Sequence, residues 1–469
     1  WITNERPDLD YPQDIREAAF LTNMNDVQSV KCALIESFLR CDTKLNHLEI
    51  NEIISPQILS DIHVNSSISK LHIDYNTLGT AEFTPIFNNL ALSHLSLAWN
   101  TLSSDGLATC LLINTTLTSL RLAHNVLRPE GGSELAEVLR NHVSLTSLKL
   151  IHTRFDYTGK KALANALCDN TSLLSLSIHD NVRDLEGGEV FAETLRMNNN
   201  LESLRLGGGQ INGQAVISLA NALSRNTSLT SLEFLNCEIG QEGGAALARV
   251  LRENINLKNF GIIDADIGSV GEIAVINALS DNTTLTSLNL GFNQTEPERG
   301  SIIAHAFSTN NTITSLDLQH NKIGKNGIEA LVRAFEANTS LTDLNLSSNE
   351  LNDNDIKPLM NVLGVNIILK YLNLGSNHLE AGELLANALC ENKTLITLIL
   401  SDNHLDSIGG SLLVEVLCKN NDTLRFLDFR KNKLDILERR QLASRLTSRK
   451  SLIASRLTSR KSLNLNYRL

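Results

Sequence analysis

A short motif, L-x-x-L-x-L-x-x-N-x-L, recurs along most of the chain. Fifteen copies run from Leu45 to Leu424, and the nine successive intervals between Leu117 and Leu369 are each 28 residues long. A fixed period of this length indicates one array of structural repeats, in which each unit buries its apolar face against its neighbours. The array replaces the roughly three domains that a chain of 469 residues would otherwise suggest.

Each repeat predicts one strand followed by one helix. The segment Leu316-Asp317-Leu318 alternates with period two, which is typical of a strand with one buried face. The residues that follow have helical spacing, as in 132–139. Strands lie about 4.8 Å apart and helices about 10 Å apart, so the stack curves with its strands inside. We therefore predict an α/β solenoid of about 15 repeats, a horseshoe with a parallel sheet on the concave face and helices on the convex face.

The helices carry a second signature, L-A-x-A-L-x-x-N, as in residues 163–170. Together with the 28-residue unit, it resembles the ribonuclease-inhibitor type of leucine-rich repeat over residues 45–434. The resemblance implies the fold but no particular activity. It also implies that the Asn of each motif forms a ladder that satisfies backbone groups at the turn. Thr153, Gly209, Cys237 and Ala265 replace this Asn in four repeats, so we expect the spine around 207–267 to be looser or reshaped.

The two ends differ from the repeats and set the predicted domain boundaries. Residues 1–43 have helical apolar spacing and predict an N-terminal cap, and residues 44–434 form the repeat domain. Residues 435–469 form a basic tail with two identical segments, ASRLTSRKSL, whose offset of eleven residues favours a helix. We favour a C-terminal cap followed by a duplication. The alternative is a basic helix that docks on an anionic membrane or on the acidic body of the chain.

Motifs for catalysis, cofactors and metals are missing from the sequence. Gly207-Gly208-Gly209 lacks the Lys-Ser/Thr of a phosphate loop, and neither HExxH nor a nucleophile elbow occurs. His124 and His152 occupy equivalent positions in neighbouring repeats, which predicts a separation of about 5 Å, but no third ligand accompanies them. The seven cysteines show no CxxC spacing and indicate buried thiols in a reducing compartment. We therefore expect a non-enzymatic protein without a cofactor or metal.

Sequons of the N-x-S/T type recur in many of the repeats. We interpret them as a product of the repeat, because the turn after each helix needs Asn and the next strand begins with Thr or Ser. They are therefore no evidence of secretion. The recurrent sequons include those at Asn114, Asn170, Asn226, Asn282, Asn338 and Asn392.

One end of the predicted concave face is aromatic and basic. Aromatic side chains form only 4% of the chain, yet two of them lie beside Arg, Lys and His in the first repeats. Aromatic and Arg side chains are the usual anchors of protein interfaces. We therefore predict a partner-binding patch made of Tyr75, Trp99, Arg121, His124, Lys149, His152 and Arg205.

These features predict a protein-binding scaffold. We expect a cytoplasmic monomer that binds a protein partner and, with a net charge of −11, no nucleic acid. The Asn-rich, Pro-poor composition resembles leucine-rich-repeat effectors that intracellular bacteria deliver into host cells, which implies a host protein as partner. One alternative is a regulator of a small GTPase, because GTPase-activating proteins of the nuclear-transport GTPase use similar repeats. The other is the ligand-sensing module of a larger immune receptor, since the sequence starts with Trp1 rather than Met.

Overall fold

The computed structural model describes residues 36, 39, 46–51, 56–179, 189–208, 211–293, 297–380, 382–434 and 453–454. The chain divides into two compact units, residues 1–246 and 247–469. Each predicted repeat contributes one strand, and a helix follows each strand up to the fourteenth. The prediction of a leucine-rich-repeat solenoid is confirmed.

In the first unit, parallel strands follow one another in chain order, and corresponding motif residues pair across neighbours, as Leu120 does with Leu148 and Leu148 with Leu176. The strands are β1 (His47–Glu49), β2 (Lys70–His72), β3 (His94–Ser96), β4 (Ser119–Arg121), β5 (Ser147–Ile151), β6 (Ser175–His179), β7 (Ser203–Gly207) and β8 (Ser231–Leu235). The helices are α1 (Pro56–Val64), α2 (Thr80–Phe87), α3 (Leu107–Ile113), α4 (Arg128–Asn141), α5 (Tyr157–Asp169), α6 (Val190–Met197), α7 (Gly213–Leu223) and α8 (Gly240–Glu253), the last of which contains the boundary between the units.

The second unit repeats this arrangement, again with parallel strands in chain order. Its strands are β9 (Asn259–Ile263), β10 (Ser287–Asn289), β11 (Ser315–Asp317), β12 (Asp343–Asn345), β13 (Tyr371–Asn373), β14 (Thr397–Ile399), β15 (Phe426–Asp428) and β16 (Ile453–Ala454). Its helices are α9 (Ser269–Asp281), α10 (Pro297–Thr309), α11 (Gly324–Phe335), α12 (Asp353–Val365), α13 (Gly382–Glu391) and α14 (Ser407–Lys419).

In each unit, the motif leucines form the core between the sheet and the helices. Leu120, Leu148 and Leu176 are at most 2% exposed. Each buried Leu contributes about 1.5–3 kcal/mol to stability, so the motif itself is the main source of cohesion. Within the described residues, no helix combines the length and the apolar character needed to cross a bilayer.

The predicted asparagine ladder is confirmed in eight described repeats, at the turn after the strand. Asn76 instead donates to Asp74 O of its own repeat, and Asn181 lies outside the described residues. Asn100 Nδ2 donates to Ile73 O of the preceding repeat at 2.8 Å, and Asn125 Nδ2 donates to Leu97 O at 2.8 Å. The ladder thus satisfies backbone carbonyls that the strands leave unpaired. The same bond into the preceding repeat is made by Asn293, Asn321, Asn349, Asn377, Asn403 and Asn432.

Three repeats without this Asn have five-residue strands. The strands β5, β8 and β9, which precede Thr153, Cys237 and Ala265, have five residues each, whereas the strands that precede Asn100 and Asn125 have three. Strand β6, whose repeat carries Asn181, also has five residues, so strand length does not depend on this side chain alone. Gly209 lies outside the described residues.

A second asparagine ladder lies at the turn after most of the helices, and His142 takes the equivalent position after α4. Asn198 is 2% exposed; its Nδ2 donates to Leu167 O and Asn170 O, and its Oδ1 accepts from the N–H groups of Asn200 and Leu201. The six recurrent sequon asparagines occupy this position and are between 0 and 7% exposed. The repeated sequons are thus explained by the turn.

The structure describes little of the two predicted terminal domains. Of residues 1–43, Glu36 and Leu39 are described, both helical, and the buried Leu39 accepts a hydrogen bond from Asn65 Nδ2 through its carbonyl. In the tail, Ile453 and Ala454 form strand β16 parallel to β15 rather than the helix expected there. An open sheet edge offers unpaired backbone groups to such a segment. The other residues of 435–469 lie outside the described part, so the cap and tail stay predictions.

Close packing between helices depends on paired glycines. A Cβ atom on Gly382 would lie 2.2 Å from Gly409 Cα. We expect Gly382→Ala to lower the free energy of unfolding by about 1–3 kcal/mol, because the backbones of α13 and α14 must separate. Gly364→Ala in α12 is the control: its Cβ would meet its nearest atom at 3.5 Å, and helix propensity favours Ala by up to about 1 kcal/mol. Urea unfolding of both variants tests this, and equal losses would contradict it.

Candidate functional site

The eighth motif position, just after each strand, has an unusual backbone conformation. Tyr75, Trp99, His124 and His152 all have φ between 54° and 59°, in the left-handed region that costs non-glycine residues about 1–2 kcal/mol. Their N–H groups donate to carbonyls of the next repeat, for example from Trp99 N to Ala123 O at 2.9 Å. The bond between repeats thus fixes the backbone and leaves the side chain free to vary.

The same conformation recurs at this position in the second unit. Val, Ile and Thr do not occur at the eighth position, and these residues tolerate positive φ least. The second-unit residues with this conformation are Asp264, Phe292, His320, Ser348, Ser376, Asp402 and Lys431.

Five rings form a continuous row along the carboxyl ends of β2 to β6. Tyr75 stacks on Trp99 with a centroid distance of 5.5 Å, and Trp99 stacks on His124 at 3.6 Å. His124 then contacts His152 at 4.5 Å, and His152 contacts His179 at 4.9 Å. We call these five residues the aromatic row. Its first two members are 53% and 42% exposed, so this end of the row presents apolar ring surface to solvent.

The row ends at His179 for a local reason. His179 is the last residue of β6 and pairs in register with Gly207 of β7. A Cβ on Gly207 would lie 3.0 Å from His179 Cγ, so the missing side chain makes room for the imidazole. Gly207 therefore shapes the end of the row.

Basic residues lie beside the aromatic row on the same sheet. Arg121 and Lys149 are register partners on β4 and β5. Arg205 lies on β7, where its Nε is 2.8 Å from Glu233 Oε2, and Arg121 Nη1 is 3.8 Å from Asp74 Oδ2. Both arginines thus have a carboxylate partner.

The surroundings of His124, His179 and Lys149 disfavour protonation of these side chains. Burial, together with the charges of His152 and Arg121, lowers the pKa of His124 to about 4. Burial, His152 and Arg205 lower the pKa of His179 to about 4. Burial and the two arginines also lower the pKa of Lys149. The imidazoles of His124 and His179 are therefore neutral at physiological pH and stack as uncharged rings.

The predicted patch is partly brought together. Tyr75, Trp99, His124 and His152 share one stack, with the two histidine rings at 4.5 Å where about 5 Å was predicted. The sequence interpretation missed His179, which stands at the seventh motif position rather than the eighth. The signal available in the sequence was the alignment of His179 with Gly207, which holds the same motif position in the next repeat. The binding role of the patch stays a prediction.

Across the described ranges, no group of three His, Cys, Asp or Glu side chains could hold a metal ion. The cysteines for which the structure gives a bonding state are thiols outside any disulfide: Cys110, Cys168, Cys237 and Cys390.

Comparison with known proteins agrees with the repeat architecture. A family model described as "Leucine Rich repeat" matches residues 114–136, 225–248, 281–294, 309–332, 337–360 and 391–414. Such repeats generally serve as non-enzymatic scaffolds that bind proteins. No curated protein matches the chain. A solved structure described as "Leiomodin-1 Actin-Binding Site 2 (ABS2)" is 24% identical over 32% of this chain and 87% of its own, with a TM-score of 0.29.

Proposed function

We propose that the first unit captures a protein partner on its exposed sheet face, with the aromatic row as the anchor. The observation that carries this proposal is the unbroken contact of five rings across five repeats. Aromatic side chains supply large contact area with few rotatable bonds, so little entropy is lost when a partner binds. The arginine and lysine beside the row would add orientation through charge.

Trp99 and Arg121 are the residues on which the proposal depends most. We expect the double variant Trp99→Ala, Arg121→Ala to weaken partner binding by at least about 3 kcal/mol, because interface hot spots contribute about 2 kcal/mol or more each. Affinity capture from eukaryotic cytosol, read by mass spectrometry and followed by titration of the captured partner, measures the loss.

The matched control removes the same kinds of group elsewhere in the first unit. Val143 is 85% exposed, and Arg140 lies in the last turn of α4. The variant Arg140→Ala, Val143→Ala should capture the partner as the wild type does. Equal capture by wild type and the Trp99/Arg121 variant would exclude the aromatic row as the anchor.

We further propose a host protein as the partner, with this chain acting as a delivered bacterial effector in the host cytosol. The Asn-rich, Pro-poor composition supports this setting. A partner captured from host cytosol but not from bacterial lysate is the expected result, and the reverse would contradict it.

The GTPase-regulator alternative gives a separate prediction. A regulator would accelerate GTP hydrolysis by at least one member of a panel of small GTPases. A scaffold that acts by capture alone is expected to leave every hydrolysis rate unchanged, and an acceleration that survives repurification would replace the present proposal.

A further inference from the structure

Two buried polar atoms on strand β6 lack a hydrogen-bond partner. Ser177 and His179 are each 6% exposed, and Ser177 Oγ and His179 Nε2 have no partner in the part of the chain that the structure describes. Residues two apart on a strand point to the same face, so both side chains lie on the same face of the sheet. A buried polar group without a partner destabilises the fold, and a suitable ligand atom would remove that cost.

Positive charge surrounds these two atoms. Ser177 pairs in register with Lys149 on one side and with Arg205 on the other. Arg205 already contacts Glu233, whereas no carboxylate among the described residues pairs with Lys149. Burial lowers the pKa of Lys149, and the charges of Arg121 and Arg205 lower it further. An anion at this place would relieve the repulsion among the three cations.

We propose that Lys149, Ser177, His179 and Arg205 form an anion subsite that binds a carboxylate from an acidic segment of the protein partner. This inference rests on the proposed function, because the subsite lies at the end of the aromatic row. The Ser177 hydroxyl, the Lys149 ammonium and the Nε2–H tautomer of His179 would each donate a hydrogen bond to the carboxylate. An apolar side chain of the same segment would then lie against Trp99.

A single-stranded nucleic acid is the other ligand class that rings beside cations can bind. The net charge of the chain is −11, which opposes a ligand with one phosphate per nucleotide more strongly than one carboxylate. The observations therefore favour an acidic protein segment.

The test uses the full chain and a fluorescein-labelled peptide of alternating glutamate and leucine, with the glutamine–leucine peptide as neutral control. Fluorescence anisotropy should show tighter binding of the glutamate peptide. We expect Lys149→Glu and Ser177→Ala each to weaken that binding at least about tenfold, as for lost hydrogen bonds to a charged group. Lys161→Glu makes the same charge change on helix α5 of the same repeat and should bind as the wild type does.

Several results would overturn the subsite. One is equal affinity for the glutamate and glutamine peptides, and another is equal weakening by Lys149→Glu and Lys161→Glu. Tighter binding of a labelled single-stranded oligonucleotide than of the glutamate peptide would assign the face to nucleic acid. Unchanged urea midpoints show that the variants fold.

Capture of the partner by single variants distinguishes failure of the anion subsite from failure of the proposed function. If Trp99→Ala abolishes capture while Lys149→Glu and Ser177→Ala do not, the aromatic row binds the partner and the anion subsite is wrong. If none of the three variants changes capture, both proposals fail.

Discussion

Replacing Asn198 by alanine is expected to lower the free energy of unfolding by about 3 kcal/mol or more, since each buried backbone group left unpaired costs about 1–3 kcal/mol. The side chain makes two donated and two accepted hydrogen bonds, with distances from 2.6 to 2.9 Å. Its removal strands two carbonyls at the end of α5 and two N–H groups before β7. Urea denaturation followed by circular dichroism measures the loss.

The neighbouring Asn199 provides the control. It is exposed, and its Nδ2 makes one long bond of 3.4 Å to Met197 O. We expect Asn199→Ala to change stability by less than about 0.5 kcal/mol, as is usual for surface sites. Similar losses for the two variants would show that the buried ladder contributes little. Asn198→Asp should also destabilise, because a carboxylate accepts but cannot donate to the carbonyls.

Acidification is expected to destabilise the fold through His179. The pKa of this imidazole falls from 6.5 to about 4 on folding because of burial, His152 and Arg205. The unfolded chain therefore takes up a proton first, so the stabilisation is present above pH 6.5 and is lost as the pH falls toward about 4. The shift corresponds to about 3 kcal/mol. His124 shifts in the same direction but is more exposed, so its contribution is smaller.

Two variants separate the effect of His179 protonation on stability from the effect of its ring packing. His179→Phe keeps a ring against Gly207 but cannot be protonated, and His179→Gln removes both the ring and the charge. Urea midpoints measured between about pH 7 and pH 4.5 should fall less steeply in both variants than in the wild type. A wild-type slope in His179→Phe would show that other groups dominate the acid sensitivity.

Much of the fold could be predicted from the sequence because the same pattern of buried leucines recurs in fifteen repeats. Period-two leucines give the strands, and the fixed interval gives the register, as for Leu120 and Leu148. The terminal segments were harder, since each occurs outside the array. Ile453 and Ala454 form a strand because an open edge was available to pair with, and the eleven-residue period of the tail contains no information about that edge.

The candidate site was predictable in outline but not in geometry. Motif alignment placed Tyr75, Trp99 and His124 in one column, and the structure stacks them. The ion pair between Arg205 and Glu233 was present in the alignment, because both residues hold the fifth motif position in consecutive repeats. The left-handed backbone was not predicted, since it depends on a hydrogen bond to the next repeat rather than on the residue itself.

The left-handed backbone at the eighth motif position limits how the sheet face can be redesigned. Because the inter-repeat hydrogen bond fixes the backbone, the eighth position accepts side chains as different as Trp99, Ser348 and Lys431. A combinatorial library for new specificities could randomise this column across many repeats without disturbing the scaffold. The library should omit Val, Ile and Thr, because their branched Cβ is strained at positive φ. Clones that carry these residues would be unstable and would compete with true binders during selection.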